Sequence, residues 1–452
     1  MIRHTYFILL FSALLLSSLP AFCYSGGSDL IITIKNLYRN QKTFNALQED
    51  YVLSAKYPAL IHGIMPVRLP LGMTREVAMQ ILEGDSRIAH VEPDFIVHCT
   101  GVPNDPYFGL QWSLYNPANK RADIKAVEAW RLHRGSRKVI IAILDTGINY
   151  KHPDLARNIW TNPEEIPDNE EDDDNNGFVD DIHGWDFAYD TSDPDDRNFH
   201  GTHVAGIIGA VTNNNIGIAG IMHEVSLMAV KGIMDGGWGY TSDLIAGIYY
   251  AVDNGARIIN ASWGGGGYQE AMVEALAYAR QHNVIFVASA GNYYRNNDEY
   301  PFYPASYPCE NIVSVGASTN MDSIAVFSHY GRYSVDLFAP GRSIISTALG
   351  KSYRYGTGTS MAAPHTTGVL GLLHAADSLM TYREYIDILL STVERKSYME
   401  GYCVSGGRLN AVNALRQIVA SYDGGFTAVD FKKKVMLITH ILDLLEQKEG
   451  ED

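Results

Sequence analysis

The chain has 452 residues, 46% of them hydrophobic, with 51 Asp and Glu against 35 Lys and Arg for a formal net charge of −16. Such a length and apolar content suffice for one large core and a smaller one. The acidic balance argues against nucleic acid or an anionic membrane surface as a partner and suits a secreted protein that holds cations, although acidity alone more often serves solubility.

Residues 1–23 place Arg3 and His4 before an apolar run from Tyr6 to Leu16, followed by Pro20, Ala21 and Cys23. This is the pattern of a secretory signal peptide cleaved before Tyr24. The run is short for a bilayer span of about 20 residues, and no later stretch is long and apolar enough, so no membrane anchor is expected. Cys23 goes with the leader and Cys99 precedes the large domain, which leaves Cys309 and Cys403 either to pair in an oxidising compartment or to stay as buried thiols.

Residues 24–102 read as a small α+β unit. Strands are expected at Leu30–Ile34, Ile61–Leu69 and Ile88–Val97, with helical stretches at Thr43–Gln48 and Thr74–Leu82, two βαβ-like halves of ferredoxin-like type. The stretch from Val102 to Pro106 breaks every regular element and marks a boundary. From there to about residue 424, apolar strands alternate with helices. Strands are predicted at Val139–Leu144, Leu227–Val230, Arg257–Ala261, Val284–Ala288, Ile312–Val315 and Val335–Phe338, and helices at Thr202–Val211, Ser242–Asn254 and Gln269–Asn283. Continuous apolar strands separated by helices specify an α/β fold: a doubly wound, mostly parallel sheet covered on both faces, with ligands beyond the strand C-termini. A final helix is expected around Ala411–Leu415, and residues 425–452 hold one more amphipathic stretch and a charged tail.

The reactive candidate is Ser360, in the stretch Gly358–Pro364 that precedes the apolar run Val369–Leu373. It should sit at a helix N-terminus, where free N–H groups and the dipole favour negative charge. Pro364 cannot bond back to the Ser360 carbonyl, so a slight distortion is expected there. An alcohol becomes a nucleophile when a neutral imidazole removes its proton and a carboxylate fixes the tautomer. Asp145 and His200 can supply these, in the order Asp, His, Ser. His203, one turn beyond His200, reads as structural; a zinc pair at that spacing lacks a third ligand. The acidic insert 170–181 alternates Asp172, Asp174 and Asn176 before Gly177 and the pair Asp180 and Asp181, like the start of a calcium loop. Its twelfth position is His183 in place of Glu, and a solvated acidic loop remains the alternative.

The segments ILDTGI at Asp145, HGTHVAG at His200 and GTSMAAP at Ser360 resemble the three signature motifs of the subtilisin family of serine endopeptidases, over roughly residues 103–415 and nearest its thermitase-like branch. The resemblance implies a subtilisin-like α/β peptidase domain preceded by a propeptide at 24–102, an inhibitor and folding aid whose last strand lies in the active-site cleft and which is removed by autocatalysis between about Cys99 and Asn104. It implies that Asp145 orients, His200 is the general base and acid, Ser360 attacks, and Asn292 with the Ser360 N–H receives the oxyanion. Gly237-Trp238-Gly239 and Ser262-Trp263-Gly264 match the segments between which an extended substrate pairs, the tryptophans suggesting aromatic subsites, although ordinary Gly-rich turns read the same way. A structural Ca²⁺ site is implied at Asp105, Asp154, Asn214 and the carbonyls of Val211, Ile216 and Ile218, with a weaker one at Asp186, Asp190 and Asp193. The expected protein is a secreted monomeric zymogen acting on protein and peptide substrates. A silent peptide-binding scaffold and an esterase are the rivals.

Overall fold

The computed structural model describes residues 30–57, 62–70, 73–94, 102–119 and 122–423. The described residues fall into two compact units, one within residues 30–94 and one within residues 102–420. The signal peptide, the end of the expected strand Ile88–Val97 (95–97), all but Val102 of the stretch expected in the active-site cleft (about 97–102) and the 425–452 tail lie outside the described residues.

The smaller unit contains strands β1 (Leu30–Ile34), β2 (Ser54–Ala55), β3 (Ile64–Arg68) and β4 (Ile88–Pro93) and the helices Gln41–Tyr51 and Arg75–Glu83. The sheet order is β2-β3-β1-β4 with every pair antiparallel, the split βαβ arrangement expected of a ferredoxin-like unit. Alternation makes the core: Leu30, Ile32 and Ile34 of β1 point inward with Met65 and Val67 of β3. Asn40 and Thr74 cap the two helices through their side chains. The two-residue strand β2 is too short to leave a periodic signal, and the sequence reading misses it.

The larger unit carries β5 (Gly135–Asp145), β6 (Gly184–Asp186), β7 (Glu224–Lys231), β8 (Ile258–Ala261), β9 (Ile285–Ser289), β10 (Ile312–Ser318), β11 (Leu337–Pro340), the hairpin β12 (Ile344–Thr347) with β13 (Tyr353–Gly356), then β14 (Glu394–Arg395) and β15 (Gly407–Arg408). The nine-stranded sheet has the order β14-β15-β11-β10-β9-β8-β5-β7-β6 and is parallel throughout except where β14 meets β15. The period of two divides each strand between two cores. Ile141 and Ile143 of β5 join Leu227 of β7 and Val287 of β9 on the face packed by the helix Thr359–Ala376. Ala142, Leu144, Met228 and Phe286 face the helices Thr241–Asp253 and Glu270–Gln281. Burial of each such Leu, Ile or Phe contributes about 1.5–3 kcal/mol.

This layering positions the site. Strands β5, β8 and β9 are neighbours and parallel, so their carboxyl ends open on one edge. Asp145 ends β5, Ser262 follows β8, and Asn292 follows β9 closely. Three residues far apart in sequence are thereby delivered to one place.

Candidate active site

Asp145 is fully buried, and its Oδ1 lies 2.7 Å from His200 Nδ1. His200 opens the helix His200–Gly209 and keeps its side chain 25% exposed. Gly201 permits the approach: a Cβ there would lie 2.1 Å from the Gly147 carbonyl and 3.2 Å from Asp145 Cβ. Asp145 Oδ1 also accepts the Thr146 N–H at 2.8 Å, which fixes the carboxylate plane. Behind the pair sits Asp196, buried and accepting from Thr146 Oγ1, Thr202 Oγ1 and the N–H groups of Asn198, Phe199 and Thr202. It ties the end of β5 to the start of the histidine helix, and the sequence reading did not single it out.

Burial of His200 disfavours its charged form, but the Asp145 charge and hydrogen bond, with Asp196 adding to them, outweigh that and raise the imidazole pKa above its ordinary value. His203 behaves in the opposite way. It is fully buried, its Nε2 faces the carbonyls of Ile344 and Arg354 at 3.1 Å each, and burial pushes its pKa down to about 4. A neutral ring that braces β12 and β13 against the helix is structural, as expected.

Ser360 is the second residue of the helix Thr359–Ala376, so its own N–H is one of the donors that such a helix leaves without an internal partner. Pro364 removes the partner of the Ser360 carbonyl, and the vacancy is filled by Ser262 Oγ, which donates to that carbonyl at 2.9 Å. The two serines interact twice, since Ser360 Oγ donates to the Ser262 carbonyl, also at 2.9 Å. The hydroxyl thus rests against the end of β8, and its turn toward His200 requires that this bond be given up.

Asn292 stands beside them with a fixed orientation. Its Oδ1 accepts the Thr359 N–H at 2.8 Å and the Thr359 hydroxyl at 3.0 Å. Because a backbone N–H can only donate, oxygen must face Thr359 and the Nδ2 donors must point the other way, toward open space over Gly358. A Cβ on Gly358 would stand 3.4 Å from that Nδ2, which places the amide directly over the glycine. The arrangement provides a preorganised amide and a helix N–H near one hydroxyl, the requirement for holding a developing oxyanion.

Of the expected substrate segments, Gly237, Trp238 and Gly239 form an exposed turn closed by Met234 N–H to the Trp238 carbonyl at 2.9 Å. Trp238 is 55% exposed and packs edge-on against Tyr240. Ser262, Trp263 and Gly264 leave the end of a central strand and do not lie on a sheet edge. Trp263 corrects the expectation of two aromatic subsites. Its indole N–H is donated to the Leu144 carbonyl at 2.8 Å and its half-buried ring packs toward Phe286, so the ring is committed to the fold and not held out like that of Trp238.

Two carboxylate-rich knots lie in the same unit. In the first, Asp105 accepts from the N–H groups of Asn213 and Asn214, and Asp154 from Asn214 Nδ2, the Ile218 N–H and the Tyr353 hydroxyl. The Val211 N–H bonds the Asp154 carbonyl at 2.7 Å, and the Ile216 N–H bonds Asn214 Oδ1 at 2.7 Å, so Val211, Ile216 and Ile218 join this knot through their N–H groups. Burial raises the pKa of Asp105 and pushes Asp154 up to about 6, with the neighbouring Asp105 charge acting in the same direction. Among the described residues no Lys or Arg pairs with either, and an oxygen donor set without a counter-charge fits a hard cation.

In the second knot, the carboxylates of Asp172 and Asp174 meet that of Glu165, each within 4.8 Å of the others. Glu165 arrives from upstream, is buried, and accepts from Asp173, Asp174 and Asp180 N–H groups. It supplies the carboxylate that His183 does not. Asn176 turns its amide to Asp174 and Asp181 at 3.0 and 3.1 Å. The weaker site expected at Asp186, Asp190 and Asp193 is not assembled: Asp186 pairs with the buried Lys231 at 3.4 Å, while Asp193 accepts from Tyr150. Cys309 and Cys403 are free thiols.

Comparison with known proteins agrees with this geometry. The model of the subtilase family of peptidases matches residues 136–416. Over 340 residues the chain is 36% identical to a thermophilic serine proteinase of Bacillus sp. strain AK1, covering 75% of this chain and 76% of the relative. It is 37% identical over 315 residues to thermitase of Thermoactinomyces vulgaris, covering 70% of this chain and 99% of the relative. A solved protease structure from Pseudoalteromonas arctica superposes with a TM-score of 0.55 at 31% identity, covering 70% of this chain and all of that one.

Proposed function

The chain belongs to the subtilase family and is a subtilisin-like serine protease, and on that premise we propose that it is a secreted, calcium-stabilised endopeptidase made as an autoprocessed zymogen. The observations that carry the catalytic assignment are the Asp145–His200 contact of 2.7 Å and a serine at a helix start next to an amide locked by Thr359.

In this reading a substrate strand enters between Gly237–Gly239 and Ser262–Gly264, and one of its N–H groups takes the Ser262 carbonyl from the Ser360 hydroxyl. The freed hydroxyl turns to His200 Nε2, gives up its proton and attacks the scissile carbonyl carbon. The oxyanion takes Asn292 Nδ2 and the Ser360 N–H, while Asp145 holds the imidazolium through Nδ1. Collapse breaks the C–N bond, with the proton passing from His200 to the departing amine, and water then releases the acyl group by the same steps in reverse.

Calcium would be held by Asp105, Asp154, Asn214 and the carbonyls of Val211, Ile216 and Ile218. A second ion would sit with Glu165, Asp172, Asp174 and Asn176. Bound there, the ion neutralises buried carboxylates and cross-links loops. Residues 1–23 would direct export, and residues 24–102 would act as inhibitor and folding aid until Ser360 removes them, leaving a monomeric mature chain that begins near residue 103 and holds the peptidase domain 103–424. Ser360→Ala should lower peptide hydrolysis by about 10⁶-fold, accumulate the uncut precursor and abolish labelling by a fluorophosphonate. A Ser360→Ala precursor that still matures alone in vitro contradicts the proposal.

A further inference from the structure

This inference rests on the protease reading and adds to it two side chains that hold His200 in place against Ser360. His200 opens its helix, and the residue before it, Phe199, is the helix N-cap with φ 98° and ψ −21°. Among the described residues every other non-glycine position with positive φ lies between 51° and 62°, within the ordinary left-handed region. A phenylalanine beyond that region is a backbone outlier directly beside a reactive side chain. Such strain persists only where the surrounding structure enforces it.

The surroundings act on both the backbone and the ring. The Phe199 N–H donates to Asp196 Oδ1 at 3.0 Å, and the Phe199 carbonyl accepts the His203 N–H at 2.9 Å. A phenyl ring cannot cap a helix, and Asp196 takes over that role by accepting the Thr202 N–H at 3.0 Å. The ring has a different partner. The Arg354 guanidinium carbon lies 3.8 Å from its centroid, a close cation–π stack. Arg354 belongs to β13, the strand that leads into Ser360, and its carbonyl faces His203 Nε2 at 3.1 Å. The partner strand β12 is attached as well: Ser346 Oγ and Thr347 Oγ1 donate to the carbonyls of His203 and Thr202, each at 2.7 Å. The hairpin is thus fastened along the histidine helix, and the Phe199–Arg354 stack fastens it at the end where the imidazole stands. Because Ser360 Oγ rests on the Ser262 carbonyl and must turn to His200, the spacing of the two helix starts decides whether proton transfer is in range.

We propose that Phe199 and Arg354 are a positioning pair: their stack ties the residue before His200 to the strand before Ser360 and so sets the distance across which the serine proton moves. Neither side chain touches the reacting atoms. Glycine at 199 would meet the backbone angle without strain, so what phenylalanine adds there is the ring that Arg354 covers.

The test combines steady-state kinetics on one peptide amide with the rate of Ser360 labelling by a small fluorophosphonate, which reads the His200–Ser360 pair without a substrate strand. Arg354→Ala is expected to lower kcat and the labelling rate alike by about 10-fold, with KM within about twofold, a part of the roughly 100-fold that a 1 Å misplacement costs. Phe199→Gly should do the same, and the double variant should fall no further than either alone, because both changes remove one contact. Phe199→Tyr keeps a ring under the guanidinium and should stay within about twofold of wild type. Unchanged kcat and labelling in Arg354→Ala, effects that multiply in the double variant, a change confined to KM, or a Phe199→Tyr as slow as Phe199→Gly each overturn the pair. With an active wild type those results overturn the pair alone. A wild type that neither cleaves peptide nor takes the label overturns the protease reading and this inference with it.

Discussion

Asp145 and Asp154 are close in sequence and equally buried, yet they face opposite kinds of partner. Asp145 meets an imidazole at 2.7 Å, a group that gains and loses a proton. Asp154 is ringed by neutral donors, with Asp105 adding a like charge, and burial pushes it up to about 6. A buried carboxylate costs several kcal/mol unless it is paired. At Asp145 the partner is part of the chain and is charged only during the reaction. At Asp154 the proposed partner is a cation that comes from outside and remains. The comparison separates turnover from durability, and each can be broken without the other.

The largest effect is expected at the first site. Asp145→Asn should lower kcat by about 10⁴-fold, because the imidazole loses its tautomer and its countercharge, while the protein stays folded. Asn292→Ala should lower kcat by about 10²–10³-fold with KM little changed, since the amide acts on the developing oxyanion alone; steady-state kinetics on one peptide amide measures both. Removing calcium by chelation should leave kcat of the still-folded enzyme unchanged and lower Tm by about 5 °C, from about 2.7 kcal/mol of lost binding stabilisation at a hundredfold excess over Kd. Loss of kcat without a shift in Tm would break the distinction between the two regions.

Much of this was legible in the sequence because both signals are local. The strands β5, β8 and β9 are apolar runs with clear ends, and the reactive residues stand directly at those ends or open the following helix. What escaped depends on convergence. Glu165 reaches the acidic loop from upstream with no periodic relation to Asp172 or Asp174. Asp196 is one of several acidic residues before His200, and only its five accepted hydrogen bonds set it apart. Ser262, just past the end of β8, fills the vacancy left by Pro364 from 98 residues before Ser360 in the chain. The three-residue strand β6 and the two-residue strands β14 and β15 are recognisable only by their pairing. Trp263 looked like a subsite because a Gly-rich context does not reveal which way a ring points.

The most direct test of the central claim, that His200 paired with Asp145 activates Ser360, is the rate of Ser360 labelling by a fluorophosphonate as a function of pH. The imidazole must be neutral to accept the proton, and its pKa is raised in the folded protein, chiefly by Asp145 acting against burial. The rate should therefore climb with rising pH through a midpoint above the ordinary histidine value of about 6.5, and Asp145→Asn should bring that midpoint down. A rate independent of pH, or a midpoint indifferent to Asp145, would contradict the account.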